Sequence, residues 1–92
     1  HFLKDKRVTE RIAQALGITE EDLVVEIGPG GGALTEELLK AGPKQLFAVE
    51  LDPQWARFIK EQFPEVKVYN ADATTFNFSE IPQRALFAGN LP

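Results

Sequence analysis

The chain has no cysteine, so it offers no disulfide, no thiolate metal ligand and no cysteine nucleophile. Its one histidine is the first residue, which leaves a histidine metal cluster or a histidine-based triad without its parts. No apolar run approaches the roughly 20 residues needed to span a bilayer, and no signal-peptide pattern is present. A cytoplasmic protein is expected, with no membrane and no metal. Basic residues are also in short supply: Lys and Arg number 10 against 14 Asp and Glu, for a net charge of −4. Phosphate neutralisation needs clustered cations, so strong nucleic-acid binding by this segment alone is disfavoured. The one basic cluster, Lys4, Lys6, Arg7 and Arg11, reads as the solvated face of a helix, with a small phosphate-contacting rim as the sharper alternative.

What is present is ordinary globular composition, 43% hydrophobic and 26% charged. Its length of 92 residues allows at most one small domain with a thin core. Asp5 to Leu16 predicts a helix with Val8, Ile12, Ala15 and Leu16 on one stripe and Gly17 as its stop. Leu23 to Ile27 predicts a first strand, Gly31 to Ala41 a second helix with Leu34, Leu38 and Ala41 inward, and Gln45 to Glu50 a second strand. Asp52-Pro53 opens a third helix, Asp as cap and Pro in the first turn, with Trp55, Ile59 and Phe63 as its buried stripe. Val66 to Tyr69 and Ala85 to Gly89 predict the third and fourth strands. Residues 70–83 are rich in turn formers, with room for a short helix.

This alternation predicts an α/β fold: a Rossmann-like parallel sheet with flanking helices and the first strand inside it. The nearly all-apolar second and fourth strands suit a sheet covered on both faces. A sheet stopping after its fourth strand would be half built, so residues 1–92 read as the N-terminal part of a cofactor-binding domain.

The most informative run is Leu23-Val24-Val25-Glu26-Ile27-Gly28-Pro29-Gly30-Gly31-Gly32-Ala33-Leu34-Thr35. An apolar strand, a glycine turn and a helix start follow without a gap, which makes a nucleotide-type binding corner. Polar groups also fall at every predicted strand end: Glu26, Glu50, Asn70 with Asp72, and Asn90. In an open parallel sheet these ends share one rim, where ligands sit. Glu50 follows Gly28 by about the 20-residue offset of an acid that grips ribose hydroxyls. Asp72 could accept from an adenine amino group, or simply cap the turn at Ala73 to Phe76. Leu51 and Ala73 would give apolar faces to the ring, or merely pack. Glu26 interrupts an apolar strand, and a ligand ammonium or the loop's own N–H groups would offset its burial.

Two cofactor templates fit the loop. Gly28-x-Gly30-x-x-Ala33 satisfies a dinucleotide fingerprint, and Glu26-x-Gly28-x-Gly30-x-Gly32 an S-adenosylmethionine loop. A pyrophosphate would be repelled by Glu26, Glu50 and Asp72, and the loop has no Lys or Arg to hold it. S-adenosyl-L-methionine carries an ammonium and a sulfonium and no phosphate. The acids select the methyl donor over a dehydrogenase's coenzyme.

The run from Glu26 to Thr35, then Val49-Glu50-Leu51-Asp52, Asn70-Ala71-Asp72-Ala73 and Gly89-Asn90-Leu91-Pro92, resembles the ribosomal RNA adenine N6-methyltransferases. Within them it is most similar to the small-subunit N6,N6-dimethyltransferases (dimethyladenosine transferases). His1-Phe2-Leu3 is similar to the family's N-terminal Gln-x-Phe-Leu motif without its Gln. The resemblance implies that Glu50 binds the ribose, Asp72 the adenine amino group, and Gly28, Gly30 and the rest of the loop the methionine moiety. Phe2 and Leu3 would help to close the pocket, with His1 and Asn90 among the cofactor contacts. Asn90, Leu91 and Pro92 would form the catalytic block facing the target adenine. The implied partner is small-subunit ribosomal RNA in a 30S-type pre-ribosomal particle, with a monomeric enzyme expected and a C-terminal RNA-docking domain elsewhere. Large-subunit resistance methyltransferases are the near alternative, and a non-catalytic cofactor-binding or ribosome-assembly module the distant one.

Overall fold

Apolar side chains on both faces of Leu23–Ile27 and Gln45–Glu50 favour buried parallel strands, and the sheet is built around these two. The computed structural model describes residues 5–82 and 84–89. In chain order they form α1 (Lys6–Ala15), β1 (Leu23–Ile27), α2 (Ala33–Lys40), β2 (Gln45–Glu50), α3 (Pro53–Gln62), β3 (Lys67–Asn70), a 3-10 turn (Phe78–Glu80) and β4 (Leu86–Gly89). All strand pairs are parallel, in the order β3-β2-β1-β4, so β1 lies inside the sheet as expected. Glu26 stands opposite Ala48 and Ala88, Ile27 opposite Gly89, and Glu50 opposite Asn70.

Local chemistry sets the helix starts. The Asp5 carboxylate accepts from the Arg7 N–H at 2.9 Å and caps α1. Asp52 does the same for α3 through the Gln54 N–H at 2.8 Å, with Pro53 in the first turn. Helix α2 begins at Ala33 rather than Gly31, because Gly32 has φ +90° and cannot belong to a right-handed helix.

One face of the sheet (Val24, Leu46, Ala48) packs on Ala13 of α1, Leu34 and Leu38 of α2 and Ile59 of α3. The other face (Val25, Phe47, Val49) meets Ile81, Tyr69, Phe76 and Phe78. Among the described residues no α-helix covers that second face. An aromatic ladder does: Tyr69–Phe76, Phe76–Phe78 and Phe78–Phe87 have ring centroids 5.0, 4.8 and 5.6 Å apart.

Several sequence expectations change. Ala15 and Ala41 are exposed, and α1 buries Thr9 and Ala13 instead. Trp55 is 43% exposed, so the buried face of α3 is Ala56 and Ile59. Phe87 is 51% exposed, so β4 is not covered on both faces.

The chain runs from β1 outward through β2 to β3, then returns past β1 to β4. The order therefore reverses between β1 and β4. Open α/β sheets take ligands at such a switch point, beyond the carboxyl ends of the strands.

Candidate functional site

The glycine loop leaves β1 at that edge. Its first N–H, of Gly28, is held by the Val49 carbonyl at 2.9 Å, and the Gly32 N–H by the Pro29 carbonyl at 2.9 Å. Gly28, Gly30 and Gly32 have φ of +67°, +52° and +90°, values that only glycine adopts freely. At Gly32 the demand is also steric. A Cβ there would lie 2.7 Å from Phe63 Cε2 and 3.2 Å from Ile59 Cδ1, both carried by the α3 region.

Glu50, at the end of β2, is 7% exposed, and its carboxylate is a junction. Oε1 accepts from the Gly30 N–H at 3.0 Å and Oε2 from the Asp52 N–H at 3.0 Å. One side chain thus ties the loop to the start of α3. Each oxygen accepts one of these bonds and has a second lone pair for another donor, such as a vicinal ribose hydroxyl.

Glu26 is 1% exposed and accepts from the Thr35 hydroxyl at 2.5 Å. Of the two ways considered for offsetting its burial, bracing by loop N–H groups is not the one seen: the Gly30 N–H goes to Glu50. Burial pushes the Glu26 carboxyl from its ordinary 4.5 up to about 7, against the pull of the Thr35 hydrogen bond and with a further push from the Glu50 charge. Neither acid forms an ion pair among the described residues. Two carboxylates therefore flank the loop without a cation of their own.

Asp72, after β3, is exposed and caps its own turn. Its Oδ1 accepts from the Thr74 N–H at 2.9 Å and the Thr74 hydroxyl at 2.7 Å, which holds its carboxyl below the usual range. Leu51 is 65% exposed beside Glu50, too open to be a packing residue. Ala73 is half-buried against the Val25 side of the core. The structure thus brings Glu26, Gly28, Gly30, Gly32 and Glu50 into one corner, with Leu51, Asp72 and Ala73 following the neighbouring strands. His1, Phe2, Leu3, Asn90, Leu91 and Pro92 lie outside the described residues.

Thr35, Asn70 and Gly89 have roles that the sequence reading did not assign to them. Thr35 is the buried partner of Glu26, and its only signal was a hydroxyl one turn into α2 after a buried acid. Asn70 donates to the Glu50 and Leu51 carbonyls, both at 2.9 Å, and so fixes the rim of β2. Gly89 lies so close to β1 that a Cβ would sit 2.5 Å from the Ile27 carbonyl oxygen.

The family model described as "Ribosomal RNA adenine dimethylase" matches residues 1–92. The chain is 42% identical over 94 residues to the ribosomal RNA small subunit methyltransferase A of Maridesulfovibrio salexigens, covering 100% of this chain and 36% of that protein. Among solved structures it is similar to a dimethyladenosine transferase from Plasmodium falciparum (TM-score 0.85, 29% identity, 100% of this chain and 34% of that one). It is also similar to the 23S rRNA methyltransferase ErmE (TM-score 0.82, 33% identity, 96% of this chain and 36% of that one). The chain thus spans about a third of the length of the proteins it matches.

Proposed function

The chain belongs to the ribosomal RNA adenine dimethylase family, and on that premise we propose that its loop and strand-end acids bind S-adenosyl-L-methionine for methylation of adenine N6 in small-subunit ribosomal RNA. One observation carries the cofactor half of this reading. Glu26 and Glu50 lie 1% and 7% exposed at the glycine loop, and no Lys or Arg pairs with either among the described residues. Such a corner repels a diphosphate and favours a ligand bearing an ammonium and a sulfonium.

In this reading Glu50 accepts the ribose hydroxyls while holding Gly30, Asp72 accepts from the adenine amino group, and Leu51 and Ala73 border the ring. Glu26 faces the cationic methionine end, and Phe2 and Leu3 close over it, with His1 alongside. The bound cofactor supplies a methyl group activated by a cationic sulfur. Asn90 and the carbonyls of Leu91 or Pro92 accept the N–H groups of the target amine and hold it while nitrogen becomes tetrahedral. The target base leaves its stack to reach them. Positioning supplies much of the acceleration, up to about 7 to 11 kcal/mol in well-oriented systems.

The relatives at 40 to 44% identity are named for the small subunit, which supports the small-subunit target. The partner is then a 30S-type pre-ribosomal particle, and the enzyme a cytoplasmic monomer. No helix among the described residues is long and apolar enough to cross a membrane.

The test uses the full-length protein carrying this segment. Calorimetry should show binding of S-adenosylmethionine and none of NAD, and small-subunit particles should accept labelled methyl groups. Asn90→Ala should abolish transfer and leave cofactor affinity within a few-fold. Binding without any transfer by the unaltered protein would instead favour a non-catalytic module.

A further inference from the structure

Trp55 is the one tryptophan in the chain and is 43% exposed, although α3 buries itself through Ala56 and Ile59. With Phe58 it forms an exposed aromatic pair on a helix already anchored by other residues. The far end of the indole faces Gly31 across the space a side chain would fill: a Cβ built there would be 3.8 Å from Cη2 and 3.9 Å from Cζ3. Gly31, unlike its neighbours in the loop, has no positive φ, so the backbone itself does not require glycine at this position.

Trp55 is also the outermost member of a row. Spaced four residues apart, Trp55, Ile59 and Phe63 present their side chains to Gly31 and Gly32 in succession. The sequence had marked this row as a buried stripe; the structure shows it to be the face that α3 turns toward the glycine loop. The first half of the loop is gripped separately, by Glu50 at the Gly30 N–H, and the same carboxylate holds the Asp52 N–H where α3 begins. Loop and helix are thus joined by a polar link at Gly30, and α3 turns an apolar row toward Gly31 and Gly32. Phe58 meets the indole edge-to-face, centroids 5.5 Å apart at 80°, and does not appear among the atoms nearest Gly31.

We propose that Trp55 is a positioning residue for the cofactor loop: its indole, standing over the side-chain space of Gly31, limits residues 28–32 to the shape that receives the ligand. This rests on the cofactor reading above. Removing the indole leaves adjoining glycines with wide backbone freedom, and that freedom must be given up again on binding. Ile59 and Phe63 keep α3 docked, so the loss falls on affinity before it falls on the fold.

The full-length protein is titrated with S-adenosylmethionine by calorimetry, as wild type, Trp55→Ala, Trp55→Phe and Phe58→Ala. Trp55→Ala should raise the dissociation constant about tenfold, while kcat at saturating cofactor changes less than about twofold. Trp55→Phe should recover most of the affinity, and Phe58→Ala should stay near wild type. An unchanged dissociation constant in Trp55→Ala overturns the proposal. So does an equal loss in Phe58→Ala, which would assign the effect to helix stability. Should Trp55→Ala fail to melt cooperatively, 5-fluorotryptophan in the unsubstituted protein decides. Its position-55 resonance, identified by its loss in Trp55→Phe, should shift on adding the cofactor; a static resonance overturns the proposal. Failure of the wild type itself to bind would instead remove the cofactor reading.

Discussion

A carboxyl group at 1% exposure with a threonine hydroxyl as its partner sits where ionisation is costly, and Glu26 is that group. Its folded-state value of about 7 stands above the ordinary 4.5, so between these values the folded chain holds a proton that the unfolded chain has released. The contribution to stability is therefore full below 4.5 and is lost as pH rises to about 7. The loss is roughly 3 kcal/mol. Glu26→Gln keeps the shape and an acceptor for Thr35 and has no proton to lose. It should flatten that part of the stability curve and be the more stable form above neutrality, as read from urea midpoints across the pH range. A ligand cation beside Glu26 favours its ionised form, so the wild type should bind S-adenosylmethionine more tightly as pH passes through about 7, and Glu26→Gln should not. Glu50 works differently, because both of its oxygens already hold backbone donors. Glu50→Gln turns one acceptor into a donor aimed at an N–H. The lost charge-assisted bond should weaken cofactor affinity by about 10- to 100-fold, measured by calorimetry. A dissociation constant equal to that of the wild type would argue against any ribose contact.

Elements explain why the glycines cannot be exchanged even where no ligand touches them. Gly32→Ala combines a left-handed φ of +90° with a Cβ driven against Phe63 and Ile59. It should cost about 2 kcal/mol and detach the start of α2 from α3. Gly89→Ala should cost more, because the obstacle is the Ile27 backbone of the neighbouring strand and not a movable side chain. Thermal melts of both variants, with Gly17→Ala as a comparison in open surroundings, check the order. The loop itself was legible in the sequence because glycine spacing encodes backbone conformation directly. Strands β1 and β2 were legible because burial on both faces leaves a mostly apolar run, broken in β1 only by Glu26. Trp55 was misplaced for a reason of the same kind: helical periodicity locates a stripe but not what the stripe faces, and here it faces the loop. The cover over the Val25 face was illegible because Phe76 and Phe78 lie in a turn-rich segment with no element to assign them to. The contact of Phe78 with Phe87 arises only once β4 has crossed to the far side of β1. Thr35 was hidden likewise, since pairing it with Glu26 requires knowing that α2 folds back across β1.

At the scale of the molecule, the four-stranded sheet has two edges of unequal character. Beside β3 the turn after Asp72 closes on itself through Thr74 and Thr75. Among the described residues strand β4 instead pairs only with β1, and Phe87 on it is 51% exposed. Next to it runs an apolar groove of about 540 Å³ lined by Ile12, Ala15, Leu16, Ile27, Phe87 and Ala88, with Gly89 at its end. An edge strand offers unpaired N–H and C=O groups as a template for another strand, and charge or proline on such an edge is the usual protection. Leu86–Gly89 has neither. A polypeptide limited to residues 1–92 should therefore self-associate, and its net charge of −4 is too small to prevent this. Phe87→Lys places a cation on the exposed side of β4 at little cost to the core, since Val25 and Phe47 keep Ile81 and Phe78 as neighbours. Sedimentation velocity should show concentration-dependent species for the unsubstituted polypeptide and a single monomeric boundary for Phe87→Lys. If the substitution leaves the association unchanged, contact is made elsewhere, and the exposed aromatic pair Trp55 and Phe58 on α3 is the next surface to alter.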